Sequence, residues 1–188
     1  MNDEFLILED SVRNTFGSVV WSHKIQEKQA DIYLTKYKFM ETMNIVAESI
    51  TTVGIVSLIF TNQLWIKILS SLISFLSIFI SSFLKSFGLQ ELVESHSKTA
   101  QKLLCVRDEL KFLLMLICLK EKDIRELTDI YQEIIVKLDD IYFEAPRTTD
   151  KAVKRARKAL NITKDNVFTD EEIDINLPDT LKRGWKNE

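Results

Sequence analysis

Two apolar runs dominate the pattern of the chain. Residues 43–60 read MNIVAESITTVGIVSLIF, and residues 64–84 read LWIKILSSLISFLSIFISSFL. A helix needs roughly 20 mostly apolar residues to cross the hydrocarbon core of a bilayer, and each run is about that long. Thr61, Asn62 and Gln63 separate them, enough for a tight turn and nothing longer. Neither run has the charged stripe of a helix on the surface of a soluble bundle. The pattern predicts a helical hairpin that crosses a membrane twice, with lipid as its first partner.

The flanks orient the hairpin. Lys24, Lys28, Lys36 and Lys38 precede the first run, and Lys85, Lys98, Lys102 and Arg107 follow the second. The turn holds no base, although Lys67 lies just inside the second run. Basic flanks stay on the cytoplasmic side, so both termini are expected there. Trp65 suits the outer interface, and Tyr37 and Phe39 the inner one.

Beyond the hairpin the period changes. Residues 89–119 are expected to continue as a helix away from the membrane. Within it FLLMLICL (112–119) is apolar all round but too short to span, so it predicts a core helix or an oligomer interface. Ile124, Leu127, Ile130, Tyr131, Ile134, Leu138, Ile141 and Tyr142 then follow amphipathic helical spacing, and Pro146 ends that helix. Near the start, residues 20–37 also read as helical, with Trp21, Ile25, Ile32 and Phe39 available to pack on the later helices. The expected fold is all-α: an integral membrane hairpin of two transmembrane helices with a cytoplasmic helical bundle. The chain divides into an N-terminal helix (1–39), the hairpin (40–87), a bundle segment (88–145) and charged C-terminal helices (146–188).

Composition sharpens this picture. Only 2 Pro and 4 Gly occur in 188 residues, too few turn formers for a β architecture. The net charge of −3 argues against a general polyanion binder, and no direct sequence-specific binding of nucleic acid is expected. The acidic start, MNDEFLILED, is not expected to be a secretory signal. Cys105 and Cys118 read as two small hydrophobes buried in a helix rather than a disulfide. His23 and His96 show no ligand spacing, so neither a metal nor a cofactor is expected. A Gly-rich phosphate loop, a Cys/His pair and a carboxylate pair are all missing from the sequence, which argues against an enzyme.

The second run carries an unusual number of hydroxyls. At about 100° per residue, Ser70, Ser74, Ser77 and Ser81 fall within an arc of roughly 60°, with Ser71 and Ser82 beside them. Small hydroxyl side chains let membrane helices pack closely. The same stripe can line a water-filled path in an oligomer. Glu48 lies a little over one turn inside the first run, at the expected depth of Ser77 and Ser81, with Thr51 and Thr52 on its face. A carboxylate within a span is costly and marks a functional position unless it reaches the interface or pairs, here with Lys85. The candidate pore-lining or gating residues are therefore Glu48, Thr52, Ser70, Ser74, Ser77 and Ser81.

The C-terminal region separates its charges. Residues 147–164 hold Arg147, Lys151, Lys154, Arg155, Arg157, Lys158 and Lys164 against Asp150 alone, and residues 165–179 hold six acids and no base. Thr149 or Asp150 can cap the basic helix, and Thr169 and Glu172 have capping-box spacing. The two blocks either dock on each other as solvated tails or leave the basic helix to bind anionic lipid or a phosphate-bearing ligand. Arg147, Thr148, Thr149, Lys151, Lys154 and Arg155 are the candidate ligand or partner contacts.

VWSHKIQEKQAD (20–31), the tightly turned hairpin and the helical tail resemble the SLATT domain, the SMODS- and SLOG-associated two-transmembrane effector domain of bacteria. APRTT (145–149), the basic helix and FTDEEID (168–174) resemble the tail of one of its subfamilies. The resemblance covers nearly the whole chain. It implies a homo-oligomer in the bacterial inner membrane that forms a pore when an anti-phage system is triggered, depolarising the cell and causing death or growth arrest. It also implies a partner protein, which would be a nucleotide-signal synthase, a nucleotide sensor or a reverse transcriptase. A nucleotide signal bound between the helices is the other source of the trigger, because no sensor domain is visible in the chain. The competing function is a passive anchor that recruits a partner enzyme.

Overall fold

The computed structural model describes residues 3–60, 63–120, 122–165, 168–178 and 182. It is all-α, with no strand among the described residues. The first helix, α1, runs unbroken over Asp3–Phe60. Its 58 residues make a rod of roughly 87 Å at about 1.5 Å per residue. The N-terminal helix and the first span are therefore one element, and no break occurs at residue 39. No Pro interrupts this stretch, and its apolar face passes directly from core to membrane.

The second span is α2, Leu64–Phe87. It returns along α1, and an 18-residue window beginning in it has mean hydropathy 1.9. Ile68, Leu72, Phe75, Leu76, Ile78 and Phe79 point outward, as a lipid-facing surface requires. The connecting Thr61 and Asn62 lie outside the described residues. Gly88 closes α2 at φ 53°, ψ 37°, in the left-handed region that glycine adopts without penalty. The chain then enters α3, Leu89–Leu119, which continues along α1 beyond the membrane.

Helix α4, Ile124–Glu144, folds back on α3. Leu103, Val106, Leu110 and Leu113 of α3 meet Leu127, Ile134, Leu138 and Ile141 of α4 and Val12 and Val19 of α1 in one core. The predicted amphipathic stripe of α4 is thus the buried one. Its last member, Tyr142, is an exception: it lies exposed, with its hydroxyl 3.0 Å from Ser22 Oγ. FLLMLICL is split. Leu113, Leu116 and Ile117 are core, whereas Phe112, Met115 and Leu119 face outward. Cys105 and Cys118 are exposed free thiols, contrary to the expected burial, because both sit off the α1-facing line of α3. Phe39 does not pack on later helices either; it is exposed where α1 enters the membrane.

The basic helix α5, Asp150–Asn161, lies against α1. Ala152, Ala156 and Ala159 recur at helical spacing and are buried, so the backbones approach closely. The short α6, Asp170–Ile175, begins with the expected capping box: Thr169 Oγ1 accepts from Glu172 N–H, and the Glu172 carboxylate accepts from Thr169 N–H.

Candidate functional site

The hairpin is built around a seam of small and hydroxyl side chains. Ala47 and Ser77 are buried, and Thr51, Gly54 and Ser70 are half-buried between the spans. Gly54 leaves no room for more: a Cβ there would collide with the Ser70 hydroxyl and lie 3.2 Å from Ser70 Cβ. Close approach of this kind is how helices associate where lipid competes for apolar contact.

At the end of the seam nearest the helical bundle lies a polar triad. Asn44 Nδ2 donates to Glu48 Oε1 at 2.8 Å, and Ser77 Oγ donates to Asn44 Oδ1 at 2.8 Å. Ser77 Oγ also lies 3.4 Å from Glu48 Oε1. The expected pairing of Glu48 with Ser77 depth is met. Asn44 completes the site, and sequence reasoning missed it because Asn is common at membrane boundaries. Glu48 bonds to these groups rather than to Lys85.

Helical spacing divides the hairpin into two unlike edges. Glu48 and Thr52 of α1, both exposed, lie on the same side as Ser74 and Ser81 of α2, with Lys67, Ser71 and Ser82 next to them. Toward the helical bundle this edge opens into a crevice of about 690 Å³ whose lining includes Tyr37, Glu41, Asn44, Ser81, Lys85 and Glu91. The opposite edge is apolar, a groove of about 390 Å³ between Ile50, Val53, Trp65, Leu69 and Ile73. Of the predicted stripe, Ser70 and Ser77 are used in the seam, while Glu48, Thr52, Ser74 and Ser81 reach the polar edge.

A second polar cluster ties the tail to α1. Gln29 has no exposed surface, and its Oε1 accepts from both Thr149 N–H at 2.9 Å and Thr149 Oγ1 at 2.8 Å. Thr149 stands at the N-cap of α5, but its hydroxyl bonds Gln29 instead of the α5 backbone, the feature the spacing alone misassigns. Gln26 Nε2 donates to Pro146 O at 3.2 Å, and Gln26 Oε1 lies 2.5 Å from His96 Nδ1. His23 Nδ1 meets the carbonyl of Ala100 at 2.9 Å. Lys24 is buried between Glu27, at 2.9 Å, and Asp165, at 3.9 Å. Burial pushes the Glu27 carboxyl up, but the hydrogen bonds and charges of Lys24 and Lys28 outweigh it and hold Glu27 below the usual range. Burial pushes His96 down, so it is held neutral.

The motif 20–31 is therefore the junction at which α1, α3 and the tail meet. Arg147, Thr148, Lys151, Lys154 and Arg155 are exposed, and the four cations among them form no ion pair with a described residue.

These features define a two-span membrane hairpin carried on a long helix, with a helical bundle locked to it outside the bilayer. The chain belongs to the SMODS and SLOG-associating 2TM effector domain family 4, whose pattern matches residues 8–172. No curated protein and no solved structure matches the chain.

Proposed function

We propose that the chain is the membrane effector of a bacterial anti-phage defence system, acting by permeation rather than catalysis. A partner protein or a nucleotide signal triggers it. Several hairpins then surround a water-filled path, depolarise the inner membrane and kill or arrest the cell. The bundle and both termini lie in the cytoplasm, as the basic flanks of the hairpin require. The family's association with SMODS and SLOG proteins supports a separate source of the trigger.

The observation that carries this reading is the two-edged hairpin. The seam is closed by small side chains, so a path through one hairpin is sterically blocked. A carboxylate and several hydroxyls are nevertheless exposed along one edge, where lipid is a poor solvent for them. Turning that edge toward a shared aqueous axis removes the cost. The anchor alternative draws on the seam itself, in which Ser70 and Ser77 serve packing.

The test is expression in bacteria with membrane potential followed by a voltage-sensitive dye. Wild type is compared with Glu48→Gln and with the pair Ser74→Leu and Ser81→Leu at matched membrane levels. Ser77 is left alone, because a larger side chain there would part the spans. We expect depolarisation by wild type, altered by Glu48→Gln and abolished by the leucine pair. A steady potential in the presence of the natural partner and a phage trigger would overturn the pore in favour of the anchor.

A further inference from the structure

Two buried nitrogens at the junction of α1, α3 and the tail have nothing to bond. Gln29 Nε2 and His96 Nε2 are shut off from solvent and have no hydrogen-bond partner among the described residues. Unsatisfied buried polar atoms are rare and costly, and here two of them fall in one cluster.

Donor and acceptor rules fix the other atoms of that cluster. A backbone N–H can only donate, so the Gln29 atom that meets Thr149 N–H at 2.9 Å is the oxygen, and the NH2 end of the amide is turned away from Thr149. A backbone carbonyl can only accept, so the Gln26 atom 3.2 Å from Pro146 O is the nitrogen. The oxygen of Gln26 therefore faces His96 Nδ1, and Nδ1 carries the ring proton. In the neutral ring His96 Nε2 is then a bare lone pair.

Gln26, Gln29 and Tyr33 share a face of α1 at i, i+3, i+7 spacing. Gln26 holds one end of the imidazole, and the centre of the Tyr33 ring lies 5.5 Å from the centre of the imidazole. Gln29 stands between them along that face. The cluster thus holds one spare donor, the Gln29 amide, and one spare acceptor, the His96 lone pair.

A proton on His96 turns the spare acceptor into a second buried donor. No acid is in position to receive it. On α1, Glu27 is held by Lys24 at 2.9 Å and Lys28 at 3.0 Å, and His23 Nε2 lies 3.5 Å from it. On α3, Glu94 pairs with Lys98, and Lys102 pairs with Glu144 of α4. In the tail, Asp165 lies 3.9 Å from Lys24, and Arg147 and Asp150 are exposed. The acceptor at hand is Gln29 Oε1. Turning the Gln29 amide over offers that oxygen to His96 and takes it from Thr149. The two hydrogen bonds that hold the start of α5 are then lost together.

We infer that Gln29 couples the protonation of His96 to the hold on α5, so that the junction is a latch that acid releases. Release uncovers the Ala152, Ala156 and Ala159 face of α5 and frees the basic helix from α1. The inference goes beyond the proposed function and does not need a pore.

The full chain in detergent micelles supplies two readouts. The first is the nitrogen NMR spectrum of the chain labelled with 15N-histidine. His23 Nδ1 also faces a carbonyl, that of Ala100, so neither of the 2 histidines is expected as the form protonated on Nε2 alone. A neutral histidine protonated on Nε2 alone would overturn the inference without any variant. The second is amide exchange of residues 149–161 from about pH 7.5 to about pH 5.0, divided by the intrinsic rate at each pH. Glu27 and Asp165 stay charged across this window, Asp165 because the Thr163 hydroxyl holds its carboxyl below the ordinary range. We expect protection of α5 to fall about ten-fold with acid, in step with the titration of one histidine, while α4 stays protected. His96→Gln should keep α5 protected across the window. Gln29→Met should leave α5 equally loose at both ends of it. A pH dependence that survives His96→Gln would assign the titration to His23 and overturn the latch. So would one that survives Gln29→Met, or a wild type whose α5 exchange ignores pH while His96 titrates.

Discussion

Gln29 shows how much one side chain can hold. Its amide oxygen takes two hydrogen bonds from Thr149, and these are the lock between the tail and α1. Gln29→Leu keeps the volume and removes the acceptor, leaving two donors to be satisfied elsewhere. A loss of about 1–3 kcal/mol is expected. It should appear as faster amide exchange across residues 149–161 with little change in α3. Unchanged exchange in α5 would remove the lock from the account.

His96 supplies a pH dependence. It is 1% exposed, against the Tyr33 ring and Gln26, and burial holds its pKa below the ordinary 6.5. The unfolded chain therefore takes up the proton first. The His96 contribution is present above about pH 6.5 and is lost as pH falls through that value toward the lowered folded one. Glu27, also lowered, acts in the same direction but only below its ordinary 4.5. Thermal unfolding of the detergent-solubilised chain should therefore show a fall in Tm between pH 7.5 and 5.5. His96→Gln, which retains a partner for Gln26, should flatten it. A slope of equal size in the variant would place the titration elsewhere.

Among the elements, the hairpin was the most legible. The length of its spans and its hydroxyl stripe follow from the 3.6-residue period and from what lipid excludes. The union of the N-terminal helix with the first span was not legible. Hydropathy changes at residue 40 although the backbone does not, and composition reports solvent rather than continuity. The exposure of Cys105 and Cys118 was hidden for a related reason: an apolar run reads the same whether one face or all faces are buried. The seam makes its own prediction. Gly54→Leu must displace Ser70 and part the two spans, so a disulfide between cysteines placed at 47 and 77, in a chain lacking Cys105 and Cys118, should form in the parent and fail in the variant. Equal cross-linking would mean that the seam tolerates the side chain.

For the whole molecule, the fold class and the family were visible in the order of apolar and charged segments. The division of the hairpin into two edges needed the pairing of α1 with α2, because Glu48 and Ser81 lie more than thirty residues apart and only contact geometry puts them on one side. The charged tail was expected either to fold on itself or to bind an anion. In the structure the basic helix turns its alanines to α1 and its cations outward.

The central claim is that the polar edge of the hairpin faces water in the working assembly. Its most direct test is thiol accessibility in membranes that hold the active protein, in a chain lacking Cys105 and Cys118. Single cysteines at Thr52, Ser74 and Ser81 report the polar edge, and single cysteines at Ile50 and Leu69 report the apolar one. A charged, membrane-impermeant thiol reagent should modify the first set and spare the second. Equal protection of both edges, or modification of the apolar edge alone, would contradict the account.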